Sequence, residues 1–286
     1  MVFWEIDCHQ LAKLSWGTFE KFLNSQFVSA FLSSLFGAGL GAWSAYKFAE
    51  RSSRVKELKD SLRQFDAVAI FSVGVLNEAL AMKKQYIKPL TEKYFKERVK
   101  AEQLHQKLLK GEAVKEEVIF EAELTQSASV ATPSESIKNL ILSSNSTSGK
   151  TLMLSLMLEQ SIINYSNLNN MRNNLINDFQ SKEFSTQDEF LQDYFGLKKK
   201  NGKTQRTYHD SMQGISQYLD DIIFFSSELI EEQQKHIELI KEELRNFVKS
   251  VPKTNQIDLS QVKSTGLIPD RSNYESWLSG FKTGRN

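Results

Sequence analysis

Residues 27–54 read FVSAFLSSLFGAGLGAWSAYKFAERSSR, and the assignment of that stretch decides the rest of the chain. No charged residue occurs between Lys21 and Lys47. The run is mostly apolar and close to the roughly 20 residues a helix needs to cross a hydrocarbon core about 30 Å thick. Three assignments compete: a cleaved secretory signal, a buried helix of a soluble core, and a retained membrane span. Against the signal stand Glu5, Asp7 and Glu20 upstream, beside Trp4 and Trp16, and a basic cluster where a small-residue cleavage site belongs. Against the soluble helix stands a surface that is apolar on every face. The expectation is a retained transmembrane helix over residues 27–48.

Charge orients the span. Lys47, Arg51, Arg54, Lys56, Lys59 and Arg63 follow it, whereas Lys13 and Lys21 precede it. Basic residues are retained on the cytoplasmic side, so the C-terminal part is expected in the cytoplasm. Trp43 and Tyr46 fall where an aromatic belt meets the headgroups. Upstream, Leu11, Leu14, Phe19, Phe22 and Leu23 share one helical arc, with Lys13, Glu20 and Lys21 opposite. Residues 1–26 thus read as an amphipathic segment lying on the interface, or as an ordinary helix capping the domain.

The small residues of the span are ordered. Ala30, Ser34, Gly37, Gly41 and Ser44 are spaced 4, 3, 4 and 3, which places them on one stripe. Gly37 and Gly41 form a GxxxG pair. Small side chains let helix backbones approach closely, which gains dispersion contacts in a solvent that supplies no hydrophobic drive. The stripe is read as a helix-association seam, with a second copy of the chain as partner. The bland alternative is that the glycines reflect ordinary membrane composition.

Beyond the span, 36 basic and 35 acidic residues nearly cancel, so no global basic field argues for nucleic acid as a partner. Four prolines and 13 glycines in 286 residues leave little punctuation and favour long helices. The single cysteine, Cys8, excludes an intrachain disulfide framework and a CxxC metal site. Val55, Leu58, Leu62, Phe65, Ala69, Ser72, Leu76 and Leu80 continue a 3-4 spacing, so the membrane helix is expected to run on into a cytoplasmic stalk. Continuous to Lys88, it would be about 90 Å long. Residues 65–82 are apolar nearly all round and need covering by other helices. Pro89 should kink or end this helix.

A second charged helix is expected over residues 90–110, stopped by Gly111. Val118, Ile119 and Phe120 suit a strand or a docking turn, and residues 125–136 a linker with Ser134 or Ser136 as N-cap. Residues 149–182 read as a long helix with Leu152, Leu156, Ile163, Leu168, Met171 and Leu175 as its apolar face. A short helix over 184–197 precedes a basic loop, and a third long helix covers 212–249, stopped before Pro252. The fold class is all-α: a transmembrane helix continuing into a helical-bundle cytoplasmic domain over 49–250, followed by a mostly irregular tail over 251–286.

Several constellations imitate chemistry. LILSSNSTSGKTLMLSL over residues 140–156 resembles a phosphate loop, with Gly149-Lys150-Thr151 before a helix. The first glycine of such a loop is replaced by Ser144, and no strand ending in Asp follows, so a turn capped by Ser148 is the better reading. Glu228, Glu232 and His236 lie on one helix face, yet paired Glu-x-x-His motifs on facing helices are missing, which favours solvated charge over a metal site. The Arg-x4-6-His pattern of helical ribonucleases fails, because the His near Arg206 stands at i+3. Lys198, Lys199, Lys200, Lys203 and Arg206 form a basic loop suited to an anionic ligand such as a lipid headgroup, or simply to solvent. No catalytic residue, metal site or cofactor is expected.

FVSA at 27–30, KKQYIKPL at 83–90, YFGL at 194–197 and LDDIIFFS at 219–226 together resemble a family of bacterial single-pass inner-membrane proteins with a helical cytoplasmic domain. The resemblance runs from about residue 27 to residue 229. It implies a retained span and a helical cytoplasmic part, and it carries no activity. The function expected is that of a non-enzymatic, self-associating effector or signalling protein of the bacterial inner membrane; membrane-acting phage-defence effectors share such an architecture. The alternatives are a monomeric adaptor, docking a cytoplasmic partner through residues 55–80 or Trp277, Leu278 and Phe281, and a membrane-tethered nucleic-acid binder or hydrolase.

Overall fold

The computed structural model describes residues 26–112, 118–130, 133–143, 148–199 and 201–280, with side chains from Ala30 onward. The expected amphipathic segment over residues 1–26, Lys200 and Phe281 lie essentially outside these. The chain is all-α: one long N-terminal apolar helix followed by further helices, with no strand among the described residues. It divides into two compact units, Met1–Leu58 and Lys59–Asn286.

Helix α1 spans Gln26–Met82 without interruption. In the first unit, every described side chain from residue 30 to residue 54 is exposed. In the second unit, Leu62, Phe65, Ala69, Ser72, Leu76 and Leu80 of the expected seam are all buried, as the 3-4 spacing predicts. Val68, Val75 and Ala79 widen that face. Ile70 and Phe71 remain 47% and 40% exposed, so the cover over residues 65–82 is incomplete.

Pro89 neither ends nor breaks the helical path. A π-helical turn over Lys83–Ile87 leads directly into α2 (Lys88–Leu109), in which the proline occupies the first turn. The wider turn shifts hydrogen bonding from i−4 to i−5, as in the bond from the Lys88 N–H to the Lys83 carbonyl. The proline then sits where its missing N–H and bulky ring cost least. Helix α2 ends before Gly111, whose φ of 74° suits a residue without Cβ.

Helices α3 (Ser134–Leu142), α4 (Gly149–Ser181), α5 (Gln187–Phe195) and α6 (Thr207–Arg245) complete the bundle, and α4 with α6 forms its most extensive helix pair. The starts follow local chemistry. Ser148 caps α4 by accepting the Thr151 N–H at 3.1 Å, as expected. Thr186 caps α5 by accepting from the Glu189 N–H at 3.2 Å, and the Glu189 carboxylate accepts from the Ser185 N–H. Helix α3 instead follows Pro133 and has no side-chain cap. Gly196 closes α5 in the left-handed region, with φ 66°, where an added Cβ would come 3.2 Å from His209 Cβ.

The core face of α4 differs from the expected one. Leu156 and Ile163 are 40% and 46% exposed, and Leu152, Leu168, Met171 and Leu175 are only half-buried. The buried arc is Thr151, Leu154, Ser155, Leu158, Ser161, Ile162, Tyr165, Asn169, Arg172 and Ile176. A hydrophobic pattern misses this arc because part of it is polar. Ser155 and Ser161 satisfy their hydroxyls on Leu152 and Met157 carbonyls of their own helix, both at 2.8 Å. On α6, Ser226 and Ser227 do the same on Ile222 and Phe224. Serines bonded in this way behave as small residues and permit close packing.

Residues 251–280 hold three short helical pieces, α7 (Ser260–Ser264), a 3₁₀ turn (Arg271–Tyr274) and α8 (Glu275–Ser279), joined by irregular chain. This segment is docked on α6. Tyr274 stacks on Phe224 at 3.6 Å and donates its hydroxyl to Asp221 at 2.7 Å, while Trp277 meets Phe225 edge-on. Trp277 and Leu278, expected as a patch for another protein, pack instead against this chain's own core.

Candidate functional site

Two features stand out, the exposed apolar stretch of α1 and an extended segment clasped by α4. On α1, the seam residues Ala30, Ser34, Gly37, Gly41 and Ser44 are all exposed. A Cβ added at Gly37 or Gly41 would meet no atom within 4 Å. Phe31, Leu35, Phe36, Leu40, Trp43, Tyr46 and Phe48 are each more than half exposed. Among the described residues, one helix is long and apolar enough to cross a membrane. Its window of mean hydropathy 1.5 is 39% buried, and no residue from 30 to 54 is buried. That window therefore draws on the core-facing stretch further along, and the exposed stretch is a separate part of the same helix.

The chemical constellations expected from sequence turn out to be structural pairs. Lys150 of the phosphate-loop mimic makes an ion pair with Glu232 at 2.7 Å, and Thr151 is fully buried. Glu228, Glu232 and His236 do not form a solvated face. Glu228 is buried and meets Arg271 at 2.6 Å; burial raises its carboxyl above the ordinary range, against the pull of Arg271. His236 stacks on Phe65 with ring centroids 5.3 Å apart. Glu232 and His236 meet each other at 3.6 Å and both address the start of α4, through Lys150 and Ser148, whereas Glu228 turns to the C-terminal segment. Among the described residues, no group of three metal-ligating side chains converges.

The basic loop is a tight turn closed by an antiparallel bridge between Lys198 and Thr204. The Lys199 N–H donates to the Lys203 carbonyl at 2.8 Å. Lys199 also pairs with Asp193 at 2.5 Å, and Arg206 with Asp210 at 3.3 Å. Lys198 and Lys203 are exposed. Two of the four described cations are thus neutralised locally, which weakens the loop as an anion site.

The feature that sequence reasoning missed lies around Tyr94, Tyr194, Tyr208 and His209, all buried. Tyr94 donates to the Tyr194 carbonyl at 3.1 Å and contacts His209 Nδ1 at 3.3 Å. Burial, and then Arg98 and Arg206, hold the His209 imidazole below its ordinary range. Tyr194 and Tyr208 stack at 4.8 Å, and burial pushes both phenols up. Their hydroxyls reach Glu123 in the segment 118–130, which is irregular rather than the strand or turn expected at 118–120. Arg172 is fully exposed to none of the solvent: it sits in the core, donates to the Thr125 carbonyl at 3.1 Å and lies 5.9 Å from the centre of the Tyr208 ring. In the sequence this region shows only as the YFGL stretch at 194–197, the His three residues after Arg206 and several Asn on α4, none of which has a hydrophobic period.

Fold and surface define a class: a helical protein with, among the described residues, one helix of membrane length, part of which is apolar and exposed. Comparison with protein-family models, curated proteins and solved structures gives no match, so the class is defined by the chain's own geometry.

Proposed function

We propose that this is a membrane-anchored, self-associating helical protein that acts as a non-enzymatic effector or signalling component of the bacterial inner membrane. The observation that carries the reading is the exposed apolar stretch from Phe31 to Phe48, which holds no charge before Lys47 and has no cover from the described residues. An aqueous environment would penalise such a surface at about 25 cal/mol per Å² of apolar area, whereas lipid removes that cost. The basic residues from Lys47 to Arg63 orient the second unit towards the cytoplasm. The resemblance to bacterial single-pass proteins agrees with this topology, and an effector role in phage defence follows by architectural analogy.

Self-association rests on the small-residue stripe. With only hydrogen at Gly37 and Gly41, two copies can bring their backbones together there. Reconstituted in nanodiscs or detergent and sized by mass photometry, the wild type is expected as an oligomer and the Gly37→Leu/Gly41→Leu variant as a smaller species. An unchanged size would remove the seam from the reading. A wild-type monomer that co-purifies with a cytoplasmic protein would favour the adaptor instead.

A further inference from the structure

The segment 118–130 is neither helix nor strand, and between Glu123 and Ser127 its main chain is bonded by side chains of other elements. Ser127 is held twice over. Its N–H donates to Asn173 Oδ1 at 3.2 Å, and its carbonyl accepts from Asn173 Nδ2 at 2.8 Å and from Asn169 Nδ2 at 2.9 Å. Its hydroxyl donates to Asn169 Oδ1 at 2.5 Å. Further along, the Thr125 carbonyl accepts from Arg172 and the Leu124 carbonyl from Gln180 at 3.4 Å. The Glu123 N–H donates to the Tyr194 hydroxyl at 3.0 Å, and the Glu123 carbonyl accepts from the Tyr208 hydroxyl at 3.3 Å.

Asn169, Asn173 and Asn177 recur every fourth residue and so share one face of α4. Asn177 accepts from the Gln126 side chain at 2.5 Å. An amide side chain offers a donor and an acceptor together, and can therefore bond both groups of a peptide unit. Most of these bonds address main-chain atoms of a non-helical, irregular chain, whose side chains contribute apolar anchors at Phe120, Leu124 and the buried Val130. Backbone bonds for affinity and alternate pockets for selectivity are how proteins recognise extended peptides.

An open surface depression of about 260 Å³ lies beside Thr125, Gln126 and Ser127, bounded by Tyr86, Pro89 and Leu90 near the π turn. Arg172 Nη2, fully buried, has no hydrogen-bond partner among the described residues, so the segment leaves one donor of its seat unmet.

We infer that the Asn169–Asn173–Asn177 face of α4, closed by Arg172, Tyr194 and Tyr208, is a groove for an extended peptide, and that residues 120–130 are an intramolecular ligand which a partner segment displaces. The partner carries bulky apolar residues at the places of Phe120, Leu124 and Val130 and a small hydroxyl residue at that of Ser127.

The test uses the full-length protein in nanodiscs and a fluorescein-labelled synthetic peptide, VIFEAELTQSASV, followed by anisotropy. Tethering gives the internal segment a high effective concentration, so the peptide competes poorly against the wild type. Leu124→Ser with Ser127→Pro weakens the internal ligand. The peptide is expected to bind this variant about tenfold more tightly than the wild type, and Asn173→Ala added to it should remove about tenfold. Failure of saturable binding to a folded variant, or binding indifferent to Asn173→Ala, overturns the inference. Should the variant unfold, hydrogen exchange on the wild type decides. Amides 120–130 exchanging faster than those of α4 and α6 support a displaceable segment, and exchange only together with those helices overturns it.

Discussion

The Tyr194 hydroxyl offers a clean perturbation, because phenylalanine in its place keeps every ring contact. Tyr194 is fully buried, stacked on Tyr208 and edge-on to Phe195, each at 4.8 Å. Tyr194→Phe removes one oxygen, which accepts the Glu123 N–H at 3.0 Å and reaches the Glu123 carbonyl at 3.5 Å. The carbonyl keeps the Tyr208 hydroxyl at 3.3 Å, whereas the N–H is left without its acceptor. Leaving a buried donor unpaired costs about 1–3 kcal/mol, an upper range here because the Glu123 N–H is partly buried. If the loss is local, opening of the segment 118–130 rises about 5- to 150-fold, at about 1.4 kcal/mol per factor of ten. If it is shared by the whole second unit, Tm falls by about 2–4 °C per kcal/mol. Hydrogen exchange read by mass spectrometry distinguishes the two, with scanning calorimetry beside it and the exposed Tyr86→Phe as a control expected to change neither. Unchanged exchange at residues 120–127 together with an unchanged Tm would refute the claim that this hydroxyl holds the segment.

Two further outcomes follow from burial. Leu158 lies on the buried arc of α4 and Leu156 is 40% exposed, so Leu158→Ala should cost about 2–5 kcal/mol and Leu156→Ser only about 0.5 kcal/mol in urea unfolding; equal costs would restore the face expected from hydropathy. The protein should also lose stability in alkali. Burial pushes the Tyr165 phenol up to about 12, and pushes Tyr94, Tyr194 and Tyr208 up as well. A phenol whose folded value lies above its unfolded value of about 10 contributes stability that is complete below that pH and lost as pH rises past it. Tyr165 alone should cost about 1.4 kcal/mol one pH unit above 10, and the others add to it, seen as a falling urea midpoint between about pH 9 and pH 11; a flat midpoint would contradict their burial.

The two long helical patterns show what composition makes legible. The 3-4 spacing from Leu62 to Leu80 selected the buried face of α1 correctly, since that face is nearly all apolar. The same reasoning failed on α4. Its core arc carries Ser155, Ser161, Asn169 and Arg172, whose polar groups are satisfied by partners far away in sequence or by their own helix. Likewise, Glu232 lies beside Lys150 only through the packing of α6 against α4, whereas Asp210 pairs with Arg206 from four residues away.

By itself, then, the sequence determined that the chain is helical, that its N-terminal region holds a charge-free apolar run of membrane length, and where the long helices lie. These are properties of local order: spacing, capping and hydropathy act over a few turns. Only the tertiary structure decided which apolar stretch of α1 is buried and which is exposed. Hydropathy is similar in both stretches, and the difference lies in which of them other helices cover. Tertiary structure also decided that residues 118–130 lie clasped on α4. The Asn face of α4 is silent in a hydrophobic pattern and acquires meaning only when Ser127, more than forty residues earlier, is laid across it.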